Sequence, residues 1–297
     1  MNTNSTNNEN TIYRYLSKST LIKGIVHISH GMAEHIPRYQ WLINKLNNDG
    51  YHVIAIDHLG HGKRIKNGLK GFFAENDGWN IVVDDLISLV NSVHDEYPNL
   101  KQFVLGHSMG SWIALSAVQK NIRIDGLILS GSSKVPSSLL RFQKSLLMIL
   151  ILIFGKKSYG KYFDEMILGA YNKFFSPNRT TKDWISSDNL NVDEYINDPM
   201  CGFVVTNGLW LDLANGMIDV FEYKKYAGTD KDLRVFLISG SKDPVGQNGK
   251  GVSSLYKFLK DIFPNTSMEI IKNARHEVFS EKNKKDNYQK LIRFISS

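Results

Sequence analysis

One cysteine, Cys201, stands in 297 residues. A disulfide framework is therefore excluded, and any Cys-based zinc site with it. A lone thiol fits a reducing compartment. The opening segment, MNTNSTNNENT, has neither Lys nor Arg and no apolar stretch, so no secretory signal is expected. Long hydrophobic runs are also missing. The longest, Leu146 to Phe154, falls short of the roughly 20 residues that a membrane-spanning helix needs. A soluble, cytoplasmic protein is the expectation.

Charge of one sign is scarce too. Lys plus Arg count 36 and Asp plus Glu 29, a formal net charge of +7. That excess suits an anionic membrane surface. Nucleic acid is not an expected partner, because no concentrated basic face is visible. Hydrophobic residues make up 42%, which excludes a disordered or fibrous chain.

What is present is an alternation of short apolar runs with helical-period stretches, the pattern of a parallel sheet wrapped by helices. Strands are expected at Gly24–Ser29, His52–Ile56, Phe103–Leu105, Leu127–Ser130, Val235–Ser239 and Met268–Ile271. Helical patterns occupy Trp41–Asn48, Val82–Glu96, Ser111–Gln119, Val252–Ile262 and Tyr288–Ile295. Between Ser130 and Val235 no strand is convincing, although a crossover needs only about a dozen residues. The spacing predicts a largely helical insertion, opened by an apolar stretch flanked by Arg141, Lys144, Lys156, Lys157 and Lys161.

Gly106-His107-Ser108-Met109-Gly110 fits G-x-S-x-G. The motif follows a strand pattern and precedes a helix pattern, as a sharp strand-to-helix turn exposing a nucleophilic serine requires. Ser108 needs a base oriented by an acid. Of nine histidines, only His276 follows Ser108, just past the strand Met268–Ile271. Asp243, in Gly-Ser-Lys-Asp-Pro after Val235–Ser239, reaches the same carboxyl edge of the sheet, where open α/β sheets place their sites. Glu277 is the rival acid, awkwardly adjacent to the base. The oxyanion needs two backbone N–H groups. Met109, after the nucleophile, supplies one; Met32, in the Gly-containing loop after Gly24–Ser29, supplies the other. His30, His35 and His107 show no metal-ligand spacing and read as loop hydrogen-bonders.

Five segments, His30–Tyr39, Asp57–Gly62, Gly106–Gly110, Gly240–Pro244 and Ala274–Glu277, together resemble the monoacylglycerol lipase and lysophospholipase branch of the α/β-hydrolases. The resemblance runs from about residue 22 to the C-terminus. It implies the α/β-hydrolase fold: a mostly parallel sheet flanked by helices, with a helical cap inserted after the sixth strand. Residues 1–131 and 213–297 would form the core and 132–212 the cap. It implies Ser108, Asp243 and His276 as catalytic residues and the Met32 and Met109 N–H groups as the oxyanion hole. No cofactor and no metal is required.

The chain departs from the family in two places. Only Thr11–Leu16 is a plausible strand where a longer hairpin is usual, and Lys63-Arg64 replaces a small hydroxyl residue. The expected substrate is a lipid ester with one acyl chain, with possible peripheral membrane contact through the cap. A small-ester carboxylesterase and an S33-type aminopeptidase are the alternatives. The peptidase would need acidic cap residues for a substrate ammonium, and Asp188, Asp193, Glu194 and Asp198 are candidates.

Overall fold

The computed structural model describes residues 11–297; the first ten residues of the polar opening segment lie outside them. Seven strands form one sheet: β1 (Ile12–Tyr15), β2 (Gly24–Ser29), β3 (Tyr51–Ile56), β4 (Gln102–His107), β5 (Gly126–Ser130), β6 (Arg234–Gly240) and β7 (Thr266–Ile271). Their order is β1-β3-β2-β4-β5-β6-β7. β1 pairs antiparallel with β3, and every other pairing is parallel. This is the mostly parallel α/β architecture expected from the sequence.

Near-continuous apolar strands arise because both faces of the sheet are covered. Alternation assigns each side chain to a face. Val104, Leu127, Leu129, Val235 and Leu237 pack with α2 (Gly78–Glu96) and α3 (Met109–Gln119). Phe103, Leu105, Ile128, Phe236 and Ile238 pack on the other face with α1 (Gln40–Asn48) and the C-terminal helix Lys284–Ser296. Strand ends differ from expectation by a few residues. β4 extends through Gly106 and His107 because Gly106 pairs with both Ser29 and Leu129.

Between β5 and β6 the described residues hold no strand. They form α4 (Ser137–Phe154), α5 (Lys161–Asp164), α6 (Ala170–Lys173), α7 (Asn189–Asn197) and α8 (Asn207–Val220). α9 (Lys250–Lys260) and α10 (Lys284–Ser296) complete the chain. The insertion follows the fifth described strand rather than the sixth. One strand, β1, precedes β2 where the expected count includes a longer hairpin.

α4 is longer than its apolar run, because Arg141, Gln143 and Lys144 continue the same helix. Only Leu140 and Leu147 of its 18 residues are buried. By length and composition it is long enough and apolar enough to cross a membrane. Phe142, Leu152 and Ile153 are respectively 67%, 87% and 64% exposed. Arg64, at the second family departure, forms a buried ion pair with Asp85 of α2 at 2.8 Å.

Candidate active site

The turn from β4 into α3 places Ser108 at φ 50°, ψ −121°, a region that non-glycine residues rarely occupy. Such a conformation costs about 1–3 kcal/mol and persists only where the surroundings over-determine it. Here they do. The Ser108 N–H donates to the Ser130 carbonyl at 2.9 Å, and the Ser108 carbonyl accepts from the Ser111 N–H at 2.9 Å. The glycines on either side admit close backbone approach. A Cβ on Gly110 would lie 1.9 Å from the Ser29 carbonyl oxygen, and one on Gly106 would lie 2.6 Å from Ser111 Cα.

His276 sits in the loop after β7 and is buried. Its Nδ1 lies 3.1 Å from each carboxylate oxygen of Asp243, which follows β6. Asp243 accepts further hydrogen bonds from the Ser239 hydroxyl at 3.1 Å and the Val245 N–H at 2.9 Å. Burial opposes the charged imidazole, but the Asp243 charge and hydrogen bond outweigh it and hold the His276 pKa above its ordinary value. Burial likewise opposes the Asp243 carboxylate, and the His276 charge with these hydrogen bonds keeps its pKa low. Glu277, the rival acid, turns elsewhere. It pairs with Arg38 at 2.6 Å and accepts from the Asn191 amide of α7 at 2.8 Å.

Met32 and Met109 border the same cavity as Ser108 and His276. Met109 is the first residue of α3, where an N–H has no carbonyl within the helix to bond. The Met32 N–H meets no acceptor among the described residues. Gly31 brings that loop against the serine, since a Cβ there would lie 3.3 Å from Ser108 Cβ. Behind it, His30 Nδ1 lies 2.7 Å from the Gly31 carbonyl oxygen, while His30 Nε2 accepts the His58 N–H at 2.9 Å. That pairing requires a neutral ring with its proton on Nδ1, and burial lowers the His30 pKa in agreement. His35 bonds Asp198 at 2.7 Å, and His107 stands 3.4 Å from the Ser130 hydroxyl.

Several residues at the site carried no signal of their own in the sequence. Gly131, just past β5, has φ +60°, and a Cβ there would lie 2.8 Å from His276 Cε1. Trp184 of the insertion lies against His276, with ring centroids 5.0 Å apart and planes tilted by 37°. Arg38 joins Glu277 to the insertion by donating to the Asn191 side-chain Oδ1 at 2.9 Å and lies 4.7 Å over the Tyr195 ring.

The cavity measures about 460 Å³, within the range of small-molecule sites. Its walls are mainly apolar and come from the insertion and α8, among them Leu140, Phe163, Ile167, Trp210 and Met217. None of Asp188, Asp193, Glu194 and Asp198 borders it. Asp188 caps α7, Asp193 pairs with Arg179 at 2.7 Å, and Glu194 is exposed. The carboxylates that do border the cavity, Glu34 and Glu277, both lie beside Arg38.

A family model described as serine aminopeptidase, S33, matches residues 20–283. Human monoglyceride lipase is 31% identical over 271 residues, covering 90% of this chain and 80% of that protein. Rat monoglyceride lipase is 36% identical over 117 residues, covering 39% of this chain and 37% of that protein. Among solved structures, a thermostable carboxyl esterase from Bacillus coagulans in complex with glycerol superposes with a TM-score of 0.86 at 28% identity. That match covers 96% of this chain and 92% of the esterase.

Proposed function

The chain belongs to the serine aminopeptidase S33 family of α/β hydrolases, and from that premise we propose that it hydrolyses carboxylic esters of lipids bearing a single acyl chain, as a monoacylglycerol lipase or lysophospholipase. The observation that carries this reading is the cavity: a mainly apolar space of about 460 Å³ that Ser108 and His276 both border. The relatives named as monoglyceride lipases support it.

The proposed chemistry is two-step acyl transfer. His276 takes the Ser108 hydroxyl proton as the oxygen attacks the ester carbonyl, and the Met32 and Met109 N–H groups hold the oxyanion. His276 then gives its proton to the departing alcohol. Water repeats the sequence on the acyl-enzyme, releasing the fatty acid and restoring Ser108. Asp243 keeps the imidazole proton on Nδ1 and stabilises the charged ring.

Residues 132–212 serve as the cap in this account, and 1–131 with 213–297 as the core. α8 belongs to both, since Leu213, Ala214, Met217 and Val220 continue into the core cluster. The exposed apolar side of α4, with Arg141 and Lys161 exposed beside it, supports peripheral contact with a lipid surface. The single, buried, unpaired Cys201 supports a reducing, cytoplasmic setting.

Substrate class is tested by a chain-length series of monoacylglycerols beside aminoacyl arylamides. Each methylene buried in the cavity is worth about 0.8 kcal/mol, so kcat/KM rises roughly fourfold per methylene until the cavity is full. Arylamide turnover without ester turnover would favour the aminopeptidase. A preference for acetyl or butyryl esters would favour the small-ester carboxylesterase.

A further inference from the structure

Two clusters of metal-ligating side chains occur among the described residues, and they differ in whether a side-chain cation is already ion-paired with their carboxylates. In the first, Glu34, His107 and Glu277 converge with all three buried. The cation position there is filled: the Arg38 guanidinium lies 2.6 Å from Glu277 and 3.8 Å from Glu34. In the second, His35, Asp198 and Cys201 bring ligand atoms within 4.8 Å of one another. Among the described residues no Lys or Arg forms an ion pair with Asp198, which pairs with His35 Nε2 at 2.7 Å.

We propose that His35, Asp198 and Cys201 form a zinc-binding site that ties the insertion to the loop after β2. Local structure builds two of the ligands. Asp198-Pro-Met-Cys201 is a turn closed by the Cys201 N–H on the Asp198 carbonyl at 2.9 Å. Asp198 is oriented within that turn, because its Oδ1 accepts the Met200 N–H at 2.8 Å while Oδ2 faces His35. A hydrogen bond of this kind holds the carboxylate in place from behind, as the ligands of bound metals are ordinarily held.

The third ligand comes from three residues beyond Met32. Its loop already meets the turn, through the Gly202 N–H on the Ala33 carbonyl at 2.9 Å.

Imidazole, carboxylate and one thiolate make a borderline-soft donor set, which suits Zn²⁺ with water as the fourth ligand. Ligand atoms around tetrahedral zinc sit roughly 3.5 Å apart. Binding follows Zn²⁺ + Cys–SH → Cys–S–Zn⁺ + H⁺, the proton passing to solvent. His35 and Asp198 side chains are 13% and 30% exposed, which gives the ion a way in. This revises the expectation drawn from a single cysteine. One thiol excludes a multi-cysteine centre, whereas a mixed set needs only one, and its partner at position 35 is too distant in sequence to read as a motif.

The probe is the metal alone, with the full chain. Titration with Zn²⁺ is expected to give one ion per chain and to weaken by about tenfold or more in both Cys201→Ser and His35→Gln. Co²⁺ in place of Zn²⁺ is expected to give a thiolate-to-cobalt charge-transfer absorption that Cys201→Ser abolishes, and bound Zn²⁺ should shield the sole thiol from alkylation. Thermal melting of each variant without metal verifies that it folds. Zinc binding unchanged by both substitutions, or a cobalt complex with no thiolate absorption, would overturn the proposal.

Discussion

His276 Nδ1 is equidistant from the two carboxylate oxygens of Asp243, 3.1 Å from each, with both residues buried. The pair fixes which nitrogen carries the proton and raises the affinity of the ring for a second one. Asp243→Asn keeps the shape but removes the charge and presents an amide that favours the wrong tautomer. Ester hydrolysis is expected to fall by on the order of 10⁴. A steady-state assay with the purified variant checks this, and a loss below tenfold would show that the pair does not orient the base.

The same pair sets the pH profile. The general base must be neutral, so kcat/KM rises with pH through a group titrating above the ordinary histidine value. The stability it contributes has the opposite sense: a folded pKa raised above the unfolded one stabilises at low pH, and that contribution is lost as pH rises through the folded value. A profile whose acidic limb lies below the ordinary value would contradict the geometry.

Asp212 of α8 is buried, its Oδ2 has no hydrogen-bond partner among the described residues, and burial pushes its pKa up to about 6 from 3.8. The folded state therefore holds a proton that the unfolded chain has released, and stability drops as pH rises from about 4 to 6. Asp212→Asn is expected to stabilise the protein above pH 6 by up to about 3 kcal/mol and to change little near pH 4. Denaturant melts at pH 4 and pH 8 read this directly; destabilisation at both would show that the carboxylate is paired.

Arg38 neutralises Glu277 and lies beside Glu34 in a buried setting. Arg38→Ala leaves both carboxylates without their cation, a change that costs about 3–5 kcal/mol. Activity should fall with it, because Glu277 adjoins His276. Equilibrium unfolding measures the cost. Arg38→Lys should restore only part of it, since one ammonium cannot stand both where Nη2 meets Glu277 and Asn191 Oδ1 and where Nε faces Glu34.

Leu152 and Ile153 are the exposed apolar tip of α4. Leu152→Asp with Ile153→Asp is expected to reduce sedimentation with anionic phospholipid vesicles while leaving hydrolysis of a short soluble ester unchanged. Equal loss of both would place the helix in the fold's stability rather than at a lipid surface.

The sheet was legible because buried parallel strands are apolar nearly throughout: Gly24–Ser29 appears in sequence and structure with the same ends. The placing of Ser108, Asp243 and His276 at one edge of the sheet was legible because each lies just beyond such a strand. The residues that support them were not. Gly131 looks like any loop glycine until His276 lies over it, and Arg38 reveals its partners only when positions 34, 191 and 277 converge. The extent of α4 was hidden by Arg141 and Lys144, which interrupt its hydropathy but not its helix.

The central claim is that Ser108 attacks the ester of a single-chain lipid. Fatty-acid release from monooleoylglycerol, measured for the wild-type protein and Ser108→Ala side by side, tests it most directly. The account predicts turnover by the wild type and a loss of at least about 10³ in the variant. Equal turnover by both proteins, or none by the wild type, would contradict it.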